Sequence, residues 1–243
     1  MNAALAARVV ALPVATMRCR RSRAAAGLAA VLAASLPALA QAEVPDASPA
    51  ERLLFTQPHL ANVQPPHTLR YAYVQEGGAG GPVRDAMTIE LRPDPAGACC
   101  SVRGSFGSGP RALRLPEIEQ ATSNPALLYF LEREVRQMQQ QTQGQAAHFR
   151  RRIRVTLAER ATITPSTIRW RDREAAAQVV HIAPYVDDPF RQRFERIATK
   201  EYDFVMCDAV PGGLYQVLTQ VPGTALRESL TLQETRDARS PAP

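Results

Sequence analysis

Four histidines, three cysteines and two close aspartate pairs are the residues beyond position 42 whose types could carry chemistry. The histidines are His59, His67, His148 and His181, and the pairs are Asp187 with Asp188 and Asp203 with Asp208. Such carboxylates can do acid–base work or bind a divalent cation, but only if the groups meet in space. Their spacing along the chain leaves none of the compact signatures of such sites. There is no Gly-x-Ser-x-Gly, no His-Glu-x-x-His, no Cys-x-x-Cys and no His/Cys cluster. The expectation is therefore no metal site, no cofactor and no assignable catalytic residue. Asp188 suits a helix cap, Asp208 the entry to a turn, and His181 a hydrogen-bonded strand position. A periplasmic hydrolase using these carboxylates, or His148 with His181, stands as the alternative to a binding module.

Two other groupings point toward binding. Arg150, Arg151, Arg152 and Arg154 form the densest charge cluster beyond the leader. The planar guanidinium fork matches carboxylate and phosphate, so the cluster suits an anionic ligand, a lipid head group or an acidic partner. Tyr71, Tyr73, Met87, Phe130, Met138, Trp170 and Phe204 are large apolar residues at core-facing spacings. They would line an apolar pocket if the layers stand apart and fill a core if they close. The candidate ligand-binding set is thus Arg150, Arg151, Arg152, Arg154, Tyr71, Tyr73, Met138, Trp170 and Phe204. Cys99, Cys100 and Cys207 are an odd number, so at most one internal bridge forms. If the adjacent pair lies on a strand, only one of the two can approach Cys207, and a bridge to it is possible.

The elements that must position these residues are legible in the periodicity. Residues 43–66 carry Pro45, Pro49, Pro58, Pro65 and Pro66 and should form a Pro-rich wrap, with Glu51 to Phe55 as one helical turn. Thr68 to Val74 and Met87 to Leu91 alternate apolar and polar residues around Gly77-Gly-Ala-Gly-Gly81, which predicts a hairpin. No helix is expected after those glycines and no Lys-Ser/Thr pair closes them, so they form a turn and not a phosphate cradle. Ala98 to Phe106 should add a strand. A helix is predicted from Pro125 to about Gly144, with Leu127, Leu128, Leu131, Val135 and Met138 as its apolar stripe, and a second from Gln145 to Arg160. After Pro165 the period returns to two, predicting hairpins around residues 168–182 and 202–218, a short helix from Asp188 to Ile197, and an edge strand within 224–236.

The leader explains the overall charge. Arg18-Cys-Arg-Arg-Ser-Arg23, an apolar run from Ala24 to Ala40 and Ala40-Gln41-Ala42 read as a signal peptide over residues 1–42, starting at Met1 or Met17, with cleavage near Ala42. From Glu43 onward 24 cationic residues face 23 acidic ones. Such a near-neutral chain gives no reason to expect nucleic acid, and no membrane span is expected after cleavage. The expectation is a soluble periplasmic or secreted protein: a single α+β domain over 67–236 and a disordered tail over 237–243. Its fold class is a curved antiparallel β-sheet, half-barrel-like, covered by inserted α-helices.

The runs His59-Leu60, Asn124-Pro125, Phe130-Leu131-Glu132, Phe149 to Arg154, Pro184 to Pro189 and Asp208 to Gly212 carry a resemblance. Across roughly residues 51 to 220 the chain resembles a family of uncharacterised secreted proteobacterial proteins. In the layout of strands and helices it is also similar to periplasmic lipoprotein carriers of the LolA type, whose curved sheet shelters acyl chains. That likeness implies a non-enzymatic partner for a hydrophobic or anionic, lipid-like or acylated ligand, or for an envelope protein. A pure protein–protein scaffold is the other binding role the residues allow.

Overall fold

The computed structural model describes residues 46–78, 80–94, 99–108 and 112–233. The expected leader, its cleavage point and the tail over 237–243 lie outside the described residues. Ser48 caps a first helix, α1 (Pro49–Glu51): its Oγ accepts the Glu51 N–H at 3.1 Å while the Glu51 carboxylate accepts the Ser48 N–H at 2.9 Å. A wide turn (Arg52–Thr56) continues α1 and buries Leu53 and Leu54, and a tight turn (His59–Asn62) buries His59 and Leu60. The Pro-rich segment therefore folds as consecutive helical turns packed on the body. The Ser48 hydroxyl ties it to the Leu157 carbonyl at 3.0 Å.

Nine antiparallel strands form one curved, unclosed sheet: β1 (His67–Glu76), β2 (Val83–Arg92), β3 (Ser101–Phe106), β4 (Leu113–Arg114), β5 (Thr162–Trp170), β6 (Arg173–Ile182), β7 (Glu201–Met206), β8 (Leu214–Gln220) and β9 (Arg227–Leu232). Their order is β4-β3-β2-β1-β9-β8-β7-β6-β5. Two meanders, β1–β4 and β5–β9, thus meet where the last strand pairs with the first, Tyr71 opposite Leu232 and Gln75 opposite Glu228. The strand expected at an edge is in the centre of the sheet. Its inner face carries Leu230 and Leu232, both buried, and an edge position would leave them half-covered.

Between the meanders lie α2 (Ala126–Thr142) and α3 (Ala146–Glu159), near their expected limits. The Asn124 Oδ1 accepts the Ala126 N–H at 3.0 Å and starts α2. The buried stripe of α2 is Leu127, Phe130, Leu131, Glu134, Val135 and Met138. Leu128, predicted within the stripe, is 49% exposed because its place on the helix falls at the flank. From α3, Phe149 packs edge-on to Tyr185 and Phe194 with centroids 5.9 and 6.0 Å away. The short helix expected over Asp188 to Ile197 is instead two single turns, Arg191–Arg193 and Glu195–Ile197, with Phe194 buried between them. The β5–β6 hairpin closes on Arg171 and Asp172 with φ of 47° and 60°, the backbone that a two-residue hairpin turn demands.

Candidate functional site

A row of inward residues crosses the sheet near one end: Gln75 on β1, Glu228 on β9, Thr219 on β8 and Tyr202 on β7, each opposite the next in register. Alternation along each strand points these side chains at the helices, and α2 answers with Arg133, Glu134 and Gln137. The result is a buried ionic network. Glu134 and Glu228 have fully buried side chains, and Lys200, just before β7, is 4% exposed. The Lys200 ammonium pairs with the Glu134 carboxylate and lies 3.5 Å from that of Glu228. Arg133 bridges both acids, at 2.9 Å to Glu134 and 3.5 Å to Glu228, and its second nitrogen donates to the Tyr73 hydroxyl. The Tyr202 hydroxyl donates to Glu134 at 3.3 Å, and the Gln137 amide donates to Glu228 at 3.3 Å.

Two acids and two bases balance formally, but not evenly. Burial, with the negative charge of Glu228 beside it, pushes the Glu134 carboxyl up to about 7. Burial acts in the same direction on Glu228, yet Lys200 and Arg133 outweigh it and hold that group below the ordinary carboxylate value. Burial alone would also discharge Lys200. The two carboxylates reverse that and keep it charged. Removed from water, these groups are costly unless every partner is present.

Above the network the sheet and helix layers part into a cleft of about 630 Å³. Its walls are the C-terminal end of α2 (Gln141, Thr142), the turns after β6 (Arg193, Phe194, Arg196, Ile197), the exit of β1 (Gln75, Gly77, Gly78) and the β8–β9 turn (Thr224, Ala225, Leu226). Gly77 has φ of +73°, and a Cβ there would stand 2.2 Å from the Ala225 carbonyl oxygen, so only glycine lets these two turns touch. Gln75 joins cleft to network: it lines the cleft, faces Glu228 in register and accepts the Tyr73 hydroxyl at 3.2 Å. The lining mixes apolar surface with Arg193, Arg196 and one carboxylate, Glu195, so it carries a net positive charge and suits a molecule with an apolar body and an anionic end.

The residues predicted to bind are dispersed. Tyr71, Tyr73, Met138 and Phe204 are buried in the packed core, with Met87 and Phe130, and none lines the three described cavities. Trp170 packs edge-on to Tyr215 at 6.3 Å. The arginines part company because successive helical residues point about 100° apart. Arg150 forms a two-pronged pair with Glu132 on α2, and Arg152 donates to the Pro184 carbonyl at 3.1 Å and lies 3.5 Å from Asp188. Arg151 and Arg154 face solvent without a partner among the described residues. Cys99 and Cys100 are joined to each other, and Cys207 is a buried free thiol. The pair lies ahead of β3, so the strand alternation that would aim one of them at Cys207 does not apply.

The histidines form separate dyads. His148 donates to Asp188 at 2.6 Å, and His181 pairs with Asp203 at 2.7 Å on the opposite face from Tyr202 and Phe204. Asp188 also accepts the Phe190 N–H at 2.8 Å, a local turn contact in place of the expected helix cap, since no helix starts there. His59 is anchored to the Leu53 carbonyl and the Asn124 N–H, and burial holds its imidazole below the ordinary value. Among the described residues no group of three His, Cys, Asp or Glu side chains is placed to hold a metal ion.

The network itself escaped sequence reasoning, although three signals mark it. Glu134 falls four residues after Phe130 and four before Met138, in the centre of an apolar stripe. Glu228 alternates in phase with Leu230 and Leu232. Lys200 is the lone lysine beside 28 arginines.

The chain matches no protein-family model and no curated protein. Solved structures similar to the chain include two mycobacterial proteins. The lipoprotein LppX of Mycobacterium tuberculosis has 10% identity and a TM-score of 0.30, over 68% of this chain and 84% of that one. LprF of Mycobacterium bovis has 10% identity and a TM-score of 0.30, over 77% and 93%.

Proposed function

We propose that this chain is exported to the periplasm and that its folded domain is a non-enzymatic binding protein for an acylated or otherwise amphiphilic ligand with an anionic end. The observation that carries this reading is the cleft between α2 and the rim turns. Its volume of about 630 Å³ lies within the range of small-molecule sites, and it combines Phe194, Ile197 and Leu226 with Arg193 and Arg196. The aromatic core beneath is closed, so the ligand's apolar part rests first against the rim. The acid–base network below it supplies a polar floor. No helix among the described residues is long and apolar enough to cross a membrane.

The test is titration with the fluorescent amphiphile dansyl-undecanoate, with palmitate as competitor. Saturable one-to-one binding is expected. Leu226→Trp, which fills the cleft, should remove it, and Arg196→Ala should weaken it by about 1.5 kcal/mol, the scale of a hydrogen bond to a charged group. Absence of saturable binding, or equal affinity in wild type and Leu226→Trp, overturns the reading. Export is checked separately by the mass of the protein recovered from the periplasm, which should begin near Glu43.

A further inference from the structure

We propose that the surface formed by α3 and residues 184–196 docks on bilayers of anionic lipid, with Phe190 and Val186 entering the head-group layer. It rests on the amphiphile-binding reading above, because a carrier must exchange its ligand with a membrane. Phe190 is 49% exposed and Val186 38%, an apolar pair four residues apart on one short segment. They are presented by a braced backbone. The Phe190 N–H is held by Asp188, its ring lies edge-on to His148 at 5.5 Å, and Arg191 donates to the Val186 carbonyl at 3.1 Å.

The charge around this pair is one-sided. Residues 146–160 and 184–196 hold eight arginines against four carboxylates, whereas the rest of the chain from Glu43 is net negative. Of those four acids, Asp188 is buried under His148 and Arg152, and Asp187 is paired with Arg160. Arg151 and Arg154 remain unpaired toward solvent on the neighbouring helix face. Arg193 connects the surface to the binding cleft, since it lines the cleft and its guanidinium lies 5.2 Å from the Phe190 ring centroid. A bilayer seated on Phe190 would therefore lie at the cleft mouth.

The form of the patch favours a bilayer over a protein. Stable protein interfaces remove about 800 Å² per partner around a central apolar anchor. One aromatic and one aliphatic side chain beside Arg191 and Arg193, on a surface of net positive charge, instead match the pattern that lies in a head-group layer, where each nearby arginine contributes about 1 kcal/mol. That is about fivefold in affinity per arginine.

The experiment is co-sedimentation of periplasm-recovered protein with phosphatidylcholine vesicles, with and without phosphatidylglycerol. Sedimentation is expected only with the anionic vesicles and should be lost at about 1 M salt, where screening reaches about 3 Å. Arg151→Ala with Arg154→Ala should weaken it about 25-fold. Phe190→Ala should weaken it about tenfold without changing the salt slope. No sedimentation with anionic vesicles, equal sedimentation with neutral ones, or full retention by the double arginine variant overturns the proposal. Loss by the arginine variant with none by Phe190→Ala also overturns it, because attraction to the anionic surface would then act without Phe190 entering the head-group layer. Dansyl-undecanoate titration of the same variants keeps the two readings apart: retained probe binding with failed docking sinks the docking alone, and absent probe binding in wild type sinks the function beneath it.

Discussion

Tyr71 and Tyr73 stand two residues apart on the same face of β1, yet they belong to opposite kinds of polar interior. Tyr71 sits in a neutral knot: Asn124 donates to its hydroxyl and to the Gly212 carbonyl, both at 2.8 Å, while His59 holds the Asn124 N–H and Asn62 receives the Gly212 N–H at 2.9 Å. Tyr73 sits in the charged network of Arg133, Glu134, Lys200 and Glu228. The neutral knot joins the N-terminal turns, α2 and the β7–β8 turn through uncharged groups, and burial, by holding the His59 imidazole below its ordinary value, keeps it uncharged at neutral pH and above. The charged network holds α2 against β7 and β9 through groups whose charge, that of Glu134 above all, depends on pH. One end of the α2–sheet contact is fixed, and the other, beneath the cleft, is conditional.

The largest break in this comparison should come from Lys200→Met. It keeps most of the apolar stem but leaves two buried carboxylates facing Arg133 alone, and about 3–5 kcal/mol of unfolding free energy should be lost in urea titration. Asn124→Ala should cost less, about 2–3 kcal/mol. It strips the cap from α2 and leaves the Gly212 carbonyl and the Tyr71 hydroxyl short of partners. That loss should be the same across neutral pH and above, where His59 is uncharged.

The pH dependence sharpens the contrast. Glu134 has its folded value raised to about 7 from an ordinary 4.5, so the stability linked to it is complete below 4.5 and is lost as pH rises through 7. Glu228 is shifted the other way, and its contribution is lost as pH falls below 4.5 through its lower folded value. The thermal midpoint should therefore fall by several degrees between about pH 5 and about pH 8, and Glu134→Gln should flatten that slope. A midpoint that rises across the interval would show Glu134 to be an ordinary ionised partner of Lys200. At the small end, Arg150→Ala removes an exposed pair with Glu132 and should leave the midpoint unchanged within error.

Local periodicity carried much of the fold. The alternation of Tyr71 and Tyr73 against Met87, Ile89 and Leu91, and of Tyr202, Phe204 and Met206 before Pro211-Gly-Gly213, marks hairpins because their partners are neighbours in sequence. The Asn124-Pro125 start of α2 is equally local. The place of β9 is not, because nothing near Arg227–Leu232 says that its partner is about 155 residues upstream. Whether Tyr71, Phe130 and Phe204 line a pocket or close a core depends on how near α2 comes to the sheet, which no short window encodes. Arg150 and Arg152 part to Glu132 and to Pro184 and Asp188 for a simpler reason: a helix distributes consecutive residues around its axis. Glu134 was visible as a misfit in an apolar stripe, and its meaning needed Lys200 and Glu228 beside it.

The central seat of β9 sets an order of events for synthesis on the ribosome. A chain that emerges N-terminus first presents both meanders before the strand that unites them, so Tyr71 and Val217 must wait for Leu232 and Leu230 to cover their flanks. Until then the half-built sheet offers two open inner edges, unpaired rows of backbone N–H and C=O groups that another strand could join.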